Sequence, residues 1–92
     1  MTRSVRNDPD ASRYELVEDG TVIGVADYRI DGDVATFPHT VIVAQRRGEG
    51  LGAELVRAAL DDTRAQGRRV VARCWYVAEF VDENPDYADL LA

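Results

Sequence analysis

The chain has 92 residues, 46% of them hydrophobic and 30% charged, and a formal net charge of −6. That balance fits one small globular domain and excludes a two-domain enzyme, a disordered or collagenous chain and a strongly basic nucleic-acid arm. The single cysteine, Cys74, rules out an internal disulfide and a multi-cysteine zinc site, so no metal is expected. No apolar run is long enough to span a bilayer, and the N-terminal residues lack the apolar stretch of a signal peptide. Cytoplasmic residence, without a membrane or nucleic-acid partner, is the expectation.

Residues 1–11 are polar, hold Pro9 and show no periodicity, which predicts a flexible tail ahead of a domain over residues 12–92. Tyr14 and Leu16 alternate with Glu15, and Asp19-Gly20 supplies hairpin-turn chemistry. From Thr21 to Ile30, Val22, Gly24, Ala26, Tyr28 and Ile30 recur at period two, and Asp31-Gly32 repeats the turn. A third strand runs from Asp33 to about Val43 with Pro38 inside it; proline has no N–H for a ladder, so it marks an edge or a bulge. Leu51, Leu55, Val56, Ala59, Leu60 and Thr63 trace one face of a helix that reaches Gln66 and stops at Gly67. Arg68 to Trp75 reads as a fourth strand, Val77, Phe80 and Val81 as a short helix, and Asp86 to Leu91 as a last turn. The predicted fold is α/β (α+β), in the order βββαβα, with a mostly antiparallel sheet of about four strands, a main helix and a short C-terminal helix.

Charge is unevenly placed. Between Gln45 and Arg73 seven arginines meet four acids, a balance of +3, whereas the rest of the chain sums to −9. Within that basic stretch, Arg46-Arg47-Gly48-Glu49-Gly50-Leu51-Gly52 places three glycines between a strand and a helix. Backbone N–H groups there can converge on an anion where the helix presents its positive dipole end, and a diphosphate suits the site. Gly52 is followed by Ala53-Glu54 rather than Lys-Ser/Thr, which leaves phosphoryl transfer without support. A dinucleotide fold is also unsupported, because the turn follows three antiparallel strands instead of opening a βαβ unit.

The run from Val41 to Gly52 resembles the acetyl-coenzyme A signature R/Q-x-x-G-x-G of the GNAT N-acetyltransferase superfamily, with Arg47, Gly50 and Gly52 at its fixed positions. Gln45, Gly48 and Gly50 fit a second frame. Phe37-Pro38-His39-Thr40, Cys74-Trp75-Tyr76-Val77 and Asn84-Pro85-Asp86-Tyr87 extend the similarity to the minimal, single-domain YjdJ-type branch; Ala72 departs from it where a proline often stands. The resemblance implies a GNAT-like fold whose third and fourth strands splay apart. It further implies that the pantetheine arm of acetyl-CoA bonds to the backbone of Val41, Ile42 and Val43, with the Ile42 amide toward the thioester oxygen. Such a preorganised N–H supplies roughly 3 kcal/mol to acyl transfer. Arg46, Arg47, Gly48, Glu49, Gly50, Leu51 and Gly52 would hold the diphosphate, Cys74 and Tyr76 would approach the rest of the cofactor, and Asn84 would either bond the pantetheine amides or simply end a helix.

Two residues are candidates for the chemistry. Cys74 is either a covalent acetyl carrier or thioester neighbour, or a small buried hydrophobe at a strand end. His39, the sole histidine, is either a base for an amine acceptor or a strand histidine bonded to backbone. Tyr76 and Tyr87 are alternatives as proton donors to the departing thiolate, or core aromatics. Early strands that follow one another through Asp19-Gly20 and Asp31-Gly32 leave no helices between them to wall an acceptor site. The expected function is therefore acetyl transfer to an exposed amine such as that of a protein or polyamine, by a monomer or homodimer. The alternative is a non-catalytic acyl-CoA binding module or accessory subunit.

Overall fold

Apolar residues at every second position build two small sheets, and one long helix covers both. The computed structural model describes residues 2–92. Its strands are β1 (Arg3–Asp8), β2 (Arg13–Glu18), β3 (Thr21–Asp27), β4 (Arg29–Asp31), β5 (Val34–Phe37), β6 (Thr40–Ile42) and β7 (Arg69–Ala72). Helix α1 (Leu51–Ala65) lies between β6 and β7, helix α2 (Trp75–Glu83) follows β7, and 3-10 turns occupy Ala44–Arg46 and Pro85–Leu90. One sheet has the order β1-β2-β3-β6, all antiparallel; the other has the order β4-β5-β7, with β5 and β7 parallel.

Residues 3–8 are not a loose tail. They pair in register with β2 from Arg3↔Glu18 to Asp8↔Arg13, and the Arg3 guanidinium bonds Glu18 and Glu54. An edge strand whose only apolar residue is Val5 carries no alternation, so its sequence looks unstructured.

Two of the expected long strands are each split, at Tyr28 and at Pro38-His39, and at these points the chain passes from one sheet to the other. Arg29 pairs with Thr36, yet the Asp27 N–H already bonds the His39 carbonyl. Only Tyr28 separates one pair from the other on the first strand, against Phe37 and Pro38 on the second; the extra residue is a bulge. It flips the side-chain parity: Ala35 and Phe37 turn to α1, and beyond the bulge Thr40 and Ile42 do. Tyr14, Tyr28 and Phe37 pack on one another beneath this switch.

The helical spacing buries Leu51, Leu55, Val56, Ala59, Leu60 and Thr63, and the Thr63 hydroxyl donates back to the Ala59 carbonyl at 2.8 Å. The Tyr14 hydroxyl donates to Asp62 at 2.6 Å, and burial together with that carboxylate pushes its phenol well above the ordinary range. The last strand ends at Ala72, short of the expected Trp75, because β5 reaches its limit at the bulge and offers no further partner. Leu55 is fully buried between the helix and the strands. Its replacement, Leu55→Ala, is expected to cost about 2–5 kcal/mol in urea unfolding with an unchanged m-value; a loss under 1 kcal/mol would contradict this packing.

Candidate functional site

The bulge leaves β6 paired on one side only. In an antiparallel ladder, alternate residues turn both backbone groups toward the partner strand. The bonds Asp27 N–H to His39 O (3.1 Å) and Val43 N–H to Ile23 O (2.9 Å) set that phase, so His39, Val41 and Val43 bond β3. The N–H groups of Thr40 and Ile42 therefore point to the open edge. On the far side of the gap, the Cys74 N–H caps β5 by donating to the Phe37 carbonyl at 2.9 Å, after which the chain turns into α2. A wedge opens between β6 and the start of α2.

At the other end of that edge the 3-10 turn leads into the glycines. Gly50 is the N-cap of α1 with φ 77°, a left-handed conformation that glycine adopts without strain. The N–H groups of Leu51, Gly52 and Ala53 have no carbonyl one turn back and remain available to an anion. A Cβ at Gly52 would lie 2.6 Å from the Tyr76 hydroxyl oxygen, so glycine there lets α2 pack against the helix start. Together Thr40, Val41, Ile42, Arg46, Arg47, Gly48, Gly50, Leu51, Gly52, Trp75 and Tyr76 line one groove of about 580 Å³.

The two arginines differ. Arg46 bonds Glu18 at 2.6 Å and Glu49 at 2.9 Å, so it clamps the turn to β2 and is already neutralised. The Arg46 guanidinium, helped by Arg3, holds the Glu18 carboxyl down to about 2. Arg47 donates only to the Ile42 carbonyl, at 3.3 Å, and among the described residues it has no carboxylate partner. It is the free cation of the groove.

Of the residues singled out from sequence, Val41, Ile42, Arg46, Arg47, Gly48, Gly50, Leu51, Gly52 and Tyr76 meet in the groove, whereas Val43, Glu49, Cys74 and Asn84 fall outside its lining. Cys74 sits just behind Thr40, buried, its thiol 3.8 Å from the Thr40 hydroxyl. Asn84 donates to the Phe80 carbonyl and accepts from Arg57, closing the end of α2. Tyr87 is buried with its hydroxyl donating to Asp61 at 2.7 Å, and burial raises its phenol, so it is a core residue. His39 lies on the sheet face opposite α1, its Nε2 against Asp27. Cys74 and His39 consequently flank β6 from opposite faces and form no Cys–His pair. Sequence reasoning missed Thr40 and Trp75; the latter is a tryptophan 73% exposed at the groove's lip, a signal visible only once the helix is placed.

Residues 13–90 match the protein family described as GCN5-related N-acetyl-transferase. Among curated proteins, bovine Protein NATD1 is 36% identical over 52 residues, 56% of this chain and 46% of that one, and human Protein NATD1 is 33% identical over the same length. The chain spans about half the length of the curated relatives it matches. Among solved structures, a GCN5-like protein from Staphylococcus aureus superposes with a TM-score of 0.73 at 16% identity, covering 97% of this chain and 87% of the other. The ribosomal-protein-S18-alanine N-acetyltransferase of Escherichia coli superposes with a TM-score of 0.61 at 20% identity over 65% of this chain and 39% of its own. These two likenesses show the fold.

The Glu18–Arg46 clamp has a pH signature. A carboxylate lowered from its ordinary 4.5 to about 2 stabilises the fold above 4.5 and loses that contribution as pH falls toward 2. Glu18→Gln is expected to melt below the wild type at pH 7, and the gap should close between those two pH values. A gap independent of pH would contradict the clamp.

Proposed function

The chain belongs to the GCN5-related N-acetyltransferase family, and on that premise we propose that it binds acetyl-CoA in the groove and moves its acetyl group to an amine acceptor, such as a protein or polyamine. The observation that carries this reading is the continuity of an open strand edge, a left-handed glycine turn and an unneutralised arginine in one groove. When bound, acetyl-CoA supplies an acetyl group activated as a thioester.

The residues divide the work by their chemistry. The free N–H groups at the start of α1 and the Arg47 guanidinium match a diphosphate in charge and geometry. The Thr40 and Ile42 backbone N–H groups offer a strand-like edge to an extended amide chain, whereas Val41 and Val43 turn theirs to β3. The Ile42 N–H is an oxyanion donor at the edge. Trp75 and the exposed Val41 cover apolar parts of the ligand. Tyr76 is the hydroxyl within the groove that can return a proton to a departing thiolate, and Cys74, one layer behind Thr40, borders the acetyl end. Cytoplasmic residence belongs to the same proposal; among the described residues no helix is long and apolar enough to cross a membrane.

A second reading, an acyl-CoA binding module without turnover, is favoured by the burial of Tyr87 and by the position of His39 outside the groove lining. Both readings require binding. At a hundredfold excess over Kd, acetyl-CoA is expected to add about 2.7 kcal/mol of stability, a rise in Tm on the order of 10 °C for a domain of this size. Arg47→Ala should weaken binding about tenfold or more through a lost charge-assisted bond, and Arg46→Ala by less. No shift at millimolar cofactor would overturn both readings, while binding without thiol release in the presence of amines would select the second.

A further inference from the structure

Sheet register places a row of ionisable side chains across the face that α1 does not cover. Asp8 stands opposite Arg13, Arg13 opposite Asp27, and Asp27 opposite His39. The face is identified by Gly24, where a Cβ would meet Ile42 and Leu55 of α1, so that in the regular ladder beyond it Val25, Asp27, His39 and Val41 turn away. Along the row, charge alternates and ends at the imidazole. Arg13 is held by the buried Glu15, which also takes Arg6. Asp27 is left to His39: the carboxylate meets Nε2, with the aspartate side chain 32% exposed and the histidine 59%.

We infer that Asp27 is a positioning residue for His39, and that the pair forms the base for the amine acceptor on the helix-free face of the sheet. This rests on the acetyl-transfer reading above. A carboxylate that accepts the Nε2 proton fixes the neutral ring in the Nε2–H tautomer and leaves the Nδ1 lone pair outward.

Position supports the role. His39 immediately precedes Thr40, whose N–H faces the open edge, and an acyl group lying against a strand edge can be approached from either sheet face. Cys74 and α1 occupy one face; His39 and Asp27 occupy the other, open to solvent. The step balances without an added reagent: the amine nitrogen bonds the acetyl carbon, the carbon–sulfur bond breaks, Nδ1 takes the proton leaving nitrogen, and the departing thiolate takes a proton from the Tyr76 hydroxyl, both side chains being restored by exchange with water. The neighbouring row, Val25 opposite the exposed Val41, gives the acceptor an apolar footing beside the pair.

Because His39 is the sole histidine, its ring nitrogens give one unambiguous set of resonances in a long-range 15N–1H correlation spectrum. In the free protein the Nε2–H tautomer is expected, and Asp27→Asn should redistribute it. The same substitution should lower kcat about tenfold or more while leaving acetyl-CoA affinity unchanged, with Asp27→Glu restoring most of the rate. A tautomer indifferent to Asp27→Asn, or an Asp27→Asn protein with wild-type kcat, overturns the pair. A wild type that binds acetyl-CoA without turnover overturns the transfer itself, and the base with it, whatever the ring does.

Discussion

At Phe37 the chain still pairs with Ala72, and by Thr40 it has joined the other sheet. Between them stands Pro38, which has no N–H to offer either ladder, together with the one-residue excess of the bulge. The other features of the site are set by that crossing. Strand β6 keeps β3 as its only neighbour, so the Thr40 and Ile42 amides face outward. Strand β7 loses its partner at the same level, which sends the chain into α2 at Trp75. The flipped parity puts Thr40 against Cys74 on the helix side and His39 against Asp27 on the other.

Electrostatics then sorts a chain of net charge −6 into local roles. Five of the eleven arginines are spent on ion pairs among the described residues: Arg3 and Arg46 on Glu18, Arg6 and Arg13 on Glu15, Arg64 on Asp89. The pairs at Glu18 hold the glycine turn onto β1 and β2. These half-buried pairs fix the position of the helix start and leave Arg47 as the cation facing the groove.

Much of this was legible in residue order. The period of α1, the glycines before it and the interruption at Pro38 depend on local chemistry, and they appear where expected. What was not legible depends on partners distant in sequence. Strand β1 lacks alternation because it is an edge; the break at Tyr28 is hidden by an unbroken period-two pattern; and Arg46 looked like an anion ligand until Glu18, far off in sequence, was brought beside it. Asn84 and Tyr87 matched a motif but answer to Arg57 and Asp61. Asp27 became visible as a partner of His39 only through sheet register.

The central claim is that β6 presents an unpaired edge made for an extended ligand. Amide hydrogen exchange with and without saturating acetyl-CoA reads it residue by residue. In the free protein the Val41 and Val43 amides should be protected and those of Thr40 and Ile42 should exchange fast, and only the latter pair should gain protection on binding. Thr40 and Ile42 amides already protected in the free protein, or still unprotected at saturation, would contradict it.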